Sequence, residues 1–96
     1  MIKTSHSRTE ISGELTAAIK TCLEASGRKL PPLRGDQCPL TAIAGFDSLC
    51  GIEVTVELQE KLGVRLDDNI FVQSNNGRAR ARTFDQIVDV IVAVAK

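Results

Sequence analysis

The chain is 96 residues long, 10.4 kDa, with 43% hydrophobic and 25% charged residues, which fits one small globular domain and leaves no room for a two-lobed enzyme. Its three aromatic residues are all Phe, which excludes a stacking platform for single-stranded nucleic acid. Twelve Lys and Arg balance twelve Asp and Glu, so the chain lacks the basic body that nonspecific DNA binding needs, and any charge logic is local.

Cys22, Cys38 and Cys50 are an odd number with no CxxC, and the chain has a single histidine, His6. A disulfide framework and a zinc site are both poor readings of that pattern, and no metal is expected. A reducing, cytoplasmic setting fits best. The N-terminus runs into polar residues without the apolar stretch of a signal peptide, and no run is long enough to span a bilayer.

From Thr9 to Ser26, Ile11, Leu15, Ile19, Cys22 and Leu23 recur at helical spacing with charged residues opposite. Gly27 suits the left-handed position after this first helix, and Arg28 and Lys29 sit near its negative end. Residues 27–46 hold Pro31, Pro32, Pro39 and three glycines, which forbids a continuous helix. Leu30, Leu33, Leu40, Ile43 and Phe46 punctuate this long loop and predict that it is pinned to the core.

The stretch from Asp47 to about Leu62 alternates like a strand in part, but Glu57, Glu60 and Lys61 followed by Gly63 favour a second helix. At about 100° per residue it carries two apolar stripes. Leu49, Ile52 and Val56 lie on one side and Val54, Leu58 and Leu62 on the other. One stripe suffices for docking on the core, so the second is either buried mid-bundle or meets something outside.

The segment 63–82 reads as irregular, with room for a short extra turn. Asn76-Gly77 is compatible with a short hairpin between Ile70 and Arg82, and a mobile loop satisfies the same pattern. Arg78, Arg80 and Arg82 then read as solvated arginines, or as a patch for an acidic or phosphate-bearing partner. Thr83 with Gln86 three residues on forms a capping box, and Phe84, Ile87, Val88, Ile91 and Val94 continue a last helix over about 83–95. The expected architecture is a single-domain, all-α bundle of three main helices, with a long first loop.

The sharpest constellation is Gly45-Phe46-Asp47-Ser48-Leu49 at the start of the second helix. A serine there sits beside unpaired backbone N–H groups and the positive end of the helix dipole, which favours a phosphate or phosphodiester. Asp and Ser are also good N-caps, so capping alone explains the pair equally simply.

Asp47-Ser48-Leu49, followed by Ile52-Glu53-Val54, Leu58 and Leu62-Gly63-Val64, resembles the D-S-L-centred pattern of acyl carrier proteins over residues 45–66. The resemblance implies that Ser48 carries a covalent phosphopantetheine arm. It also implies that Asp47 is read by the phosphopantetheinyl transferase that attaches the arm. Leu49, Ile52 and Val56, flanked by Glu53, Glu57 and Glu60, become the surface that acyl-loading, synthase or acyltransferase enzymes recognise. The cargo is an acyl chain held as a thioester in fatty acid, polyketide or related biosynthesis. The carrier itself is a monomer without catalytic residues.

Asp47 to Asp68 carries a local charge of −4 within a neutral chain. The flanking regions are each +2, whereas carriers of primary fatty acid synthesis are acidic throughout. Cys50-Gly51 replaces the polar pair common after D-S-L, and the link to the last helix is long. These departures describe a specialised member. Two rival classes remain beside it: an unmodified adaptor binding through the stripe of the second helix, and a phosphate or nucleic-acid binder using Arg78, Arg80 and Arg82.

Overall fold

The computed structural model describes residues 7–67, 69–75 and 77–94, and His6 lies outside them. Among the described residues, four helices and one two-stranded antiparallel ribbon follow one another as α1 (Arg8–Ala25), α2 (Pro39–Ala42), α3 (Ser48–Leu62), β1 (Val72–Asn75), β2 (Arg78–Ala81) and α4 (Phe84–Val94).

The three long helices form where the periodicity places them, and their ends carry the expected chemistry. Ser7 caps α1 by accepting the Glu10 N–H at 3.1 Å. At the other end Gly27, at φ +75°, lets its own N–H reach the Glu24 carbonyl while the Arg28 N–H joins the Ser26 N–H on the Leu23 carbonyl, closing the last turn of the helix. The capping box on α4 closes in both directions. The Gln86 N–H donates to Thr83 Oγ1 at 3.1 Å, and the Thr83 N–H donates to Gln86 Oε1 at 2.9 Å.

Helix α1 packs against both α3 and α4. Its buried face of Ile11, Leu15, Ala18, Ile19 and Leu23 meets Val54, Leu58 and Leu62 of α3 and Ile87, Val88 and Ile91 of α4 in one aliphatic core. Ion pairs Lys61–Glu14, at 3.0 Å, and Arg8–Asp89 bridge the same helix pairs at the surface, where such contacts contribute about 0–1 kcal/mol each.

The long loop is pinned as expected. Ile43 and Phe46 are buried, and Leu30, Leu33 and Leu40 pack partly against the core. Its backbone also satisfies the start of α4, since the Phe84 and Asp85 N–H groups donate to the carbonyls of Gln37 and Gly35. The single turn of α2 lies within this loop, so among the described residues the short extra helix occurs before α3 and not in the segment ahead of the last helix.

The fold is mostly helical and not purely all-α. The segment read as irregular contains the β1–β2 hairpin, with Val72 opposite Ala81 and Asn75 opposite Arg78. Its root is fixed from two sides. Ile70 and Phe71 are buried, and the Phe71 ring meets Phe46 edge-on at a centroid distance of 5.0 Å. The buried Thr55 hydroxyl donates to the Gly51 carbonyl at 2.7 Å and accepts the Ile70 N–H at 3.2 Å. Pattern alone could not separate hairpin from loop because these anchors lie in other parts of the chain.

Candidate functional site

Helix α3 begins where the D-S-L motif places it. Asp47 has an extended backbone and serves as N-cap, its Oδ1 accepting the Cys50 N–H at 3.0 Å while its carbonyl accepts the Gly51 N–H at 3.0 Å. The Cys50 N–H holds the Asp47 carboxyl below its ordinary value of 3.8, so the group is ionised at neutral pH. Ser48 is the first helical residue, and its exposed hydroxyl has no hydrogen-bond partner among the described residues. Its carbonyl accepts the Asn69 side-chain amide at 3.2 Å. The Arg28 side chain lies against Gly45, three residues ahead.

This arrangement fits a phosphodiester on Ser48 in two respects and opposes it in one. The hydroxyl is accessible and uncommitted, and it stands at the positive end of a helix of 15 residues. The Asp47 carboxylate next to it already neutralises part of that positive end, as a capping role requires.

The two stripes of α3 separate cleanly. Val54, Leu58 and Leu62 are buried in the core, whereas Leu49, Ile52 and Val56 are 66%, 41% and 46% exposed. The outward stripe starts one residue after Ser48 and runs for two turns. Glu53 and Glu60 are exposed beside it, and Glu57 is half-buried.

Gly51, a departure from the family pattern in sequence, has a structural reason. A Cβ there would stand 2.8 Å from Asn69 Oδ1 and 3.2 Å from the Phe71 ring, so the missing side chain admits the hairpin root to α3. Asn69 in turn accepts the Phe71 N–H at 3.0 Å while donating to Ser48.

One grouping escaped the sequence pattern. Cys22 of α1 and Cys50 of α3, 28 positions apart, meet across the helix pair with Glu53 beside them, their ligand atoms all within 4.8 Å of one another. Burial, followed by the neighbouring Cys50 thiol, pushes Cys22 up to about 11. Only its apolar neighbours at helical spacing were visible in sequence, so Cys22 read as a core residue. Glu53 therefore faces the thiols as well as solvent. Cys38 is remote in role, its thiol directed to the Ala81 carbonyl at 3.6 Å.

The arginines divide. Arg78 and Arg80 lie exposed on β2, whereas Arg82 is half-buried and its Nη1 donates to the Ile70 carbonyl at 3.2 Å. Arg82 is a brace for the hairpin root, which corrects the expectation of three equivalent solvated side chains.

Among the described residues no helix is long and apolar enough to cross a membrane. No protein-family model, curated protein or solved structure matches the chain.

Proposed function

We propose that the protein is a non-catalytic acyl carrier, modified on Ser48 by a phosphopantetheinyl transferase. The observation that carries this reading is the position of Ser48: an exposed, uncommitted hydroxyl at the first position of α3, directly ahead of an exposed apolar stripe. In the modification Ser48 Oγ forms the new bond to phosphorus of coenzyme A and gives its proton to a base of the transferase. The bond from that phosphorus to the nucleotide breaks, releasing adenosine 3′,5′-bisphosphate. When bound, phosphopantetheine supplies a thiol that carries acyl groups as thioesters.

The chain's own residues orient and advertise that attachment. Asp47 fixes the start of α3 by capping Cys50 and offers its exposed carboxylate to the transferase. Leu49, Ile52 and Val56 dock the loading, synthase or acyltransferase enzymes, and Glu53, Glu57 and Glu60 meet basic groups at their rims. Tethering raises the local concentration of the acyl group at each partner. A cytoplasmic monomer working in fatty acid, polyketide or related lipid biosynthesis is the setting of this proposal.

The alternative is an adaptor that uses the same stripe without modification, favoured by the Asp47–Cys50 capping bond, which accounts for Asp47 without a transferase. Intact mass after incubation with a broad-specificity phosphopantetheinyl transferase and coenzyme A separates the two. The carrier gains one phosphopantetheine and Ser48→Ala gains none. A folded wild-type chain that gains nothing reduces the motif to helix capping and leaves the adaptor.

A further inference from the structure

We propose that Cys22, Cys50 and Glu53 form a binding site for one Zn²⁺ ion that clamps α1 to the first turns of α3. The inference is independent of whether Ser48 is modified.

Three donors of suitable chemistry converge from two elements. Both sulfur atoms and a Glu53 carboxylate oxygen lie within 4.8 Å of one another. Tetrahedral zinc, with bonds of about 2.0–2.3 Å, spaces its ligand atoms by roughly 3.3–3.8 Å. Closing the triangle therefore needs movements of no more than about 1.5 Å in side chains at a helix surface. Two thiolates in a set of three favour Zn²⁺ over Mg²⁺ or Ca²⁺, which take oxygen ligands.

The surroundings leave access and a vacant coordination position. Cys22 and Glu53 line a groove of about 210 Å³ between α1 and α3, together with Thr21, Ser26 and Glu57. Both cysteines are half-buried and Glu53 is exposed, so the ion enters from this groove and keeps one face towards it. Three protein ligands leave a fourth position for water or for a donor from a partner. Binding displaces two thiol protons to solvent, and two thiolates plus one carboxylate around Zn²⁺ leave a net charge of −1.

The clamp stands close to the other functional feature. Cys50 is two residues beyond Ser48, and its thiol also points to the Gly45 carbonyl at 3.8 Å. Zinc would therefore tie the start of α3 to α1 through side chains that otherwise meet only as neighbouring thiols.

The test is titration of the reduced, metal-free full-length chain with Zn²⁺ in competition with a chromophoric chelator, with Co²⁺ as a spectroscopic substitute. Wild type, Cys38→Ser and His6→Ala are expected to bind one equivalent, and the Co²⁺ form to show thiolate-to-metal charge-transfer absorption. Cys22→Ser and Cys50→Ser are expected to lose more than about 100-fold in affinity, beyond the usual effect of an outer-shell change. Glu53→Gln, on an exposed side chain, tests the site without disturbing packing and should weaken binding by at least about 10-fold while both sulfur bands persist. Circular dichroism establishes that each variant is folded. Binding abolished by His6→Ala or Cys38→Ser, binding unchanged in Glu53→Gln and both cysteine variants, or Co²⁺ spectra without thiolate bands would overturn the proposal.

Discussion

Asn69 donates its side-chain amide to the carbonyl of Ser48 at 3.2 Å, tying the root of the hairpin to the residue that begins α3. The approach is close because Gly51 has no side chain to stand between them. Gly51→Ala gains up to about 1 kcal/mol of helix propensity and loses about 1–3 kcal/mol through overpacking against Asn69 and Phe71. A net destabilisation of about 1 kcal/mol is expected in urea denaturation. Gly13→Ala, in α1 with nothing within 4 Å of the added Cβ, is expected to stabilise by up to about 1 kcal/mol. Equal effects at the two positions would show that the Gly51 contact carries no energy.

Thr55 links the same elements from beneath. Its buried hydroxyl is the acceptor for Ile70 N–H and a donor to the Gly51 carbonyl. Thr55→Val keeps the shape and strands the Ile70 N–H, with an expected cost of about 1–3 kcal/mol. Amide exchange at Ile70 and Phe71 should quicken more than at Leu15 or Ile19 within α1. Uniform quickening would indicate general loosening and not a local anchor.

The stripes of α3 make a sharper contrast. Leu58→Ala removes a fully buried side chain and is expected to cost about 2–5 kcal/mol. Leu49→Ala and Ile52→Ala, at exposed sites, should stay within about 0.5 kcal/mol of wild type. If the carrier reading holds, the same two variants reduce kcat/KM for transfer of phosphopantetheine to Ser48 by roughly 10-fold or more, as loss of interface anchors does. Unchanged transfer in both would remove the stripe from partner recognition.

What was legible in sequence follows from how local the physics is. Helix periodicity, the Thr83–Gln86 capping box, Asp47 as N-cap and the two stripes are all decided within one or two turns, and each reappears in the structure. The hairpin depends on Phe46, Thr55 and Arg82 holding Ile70 and Phe71, contacts across 12 to 25 positions, which local pattern does not encode. The meeting of Cys22 with Cys50 is longer in range still, fixed only when α1 packs on α3. Gly51 read only as a departure from the polar pair common after D-S-L because the neighbour that requires it, Asn69, comes 18 residues later.

Asp47 links the start of α3 to pH. Its carboxyl is held below 3.8, chiefly by the Cys50 N–H, so the folded state binds this proton less readily than the unfolded state does. The cap's contribution is therefore present above pH 3.8 and is lost as pH falls through the lower folded-state value. Denaturation midpoints of the chelator-treated protein, followed from about pH 5 downward, should fall more steeply for wild type than for Asp47→Asn. The variant keeps an uncharged capping acceptor but has no proton to take up, so subtracting its profile isolates Asp47 from the other acids. Parallel profiles would mean that the Asp47–Cys50 bond does not distinguish the ionised carboxylate from its neutral form. The cap would then hold α3 equally with the carboxyl ionised or neutral, and the acid sensitivity of the fold would arise from the other carboxylates.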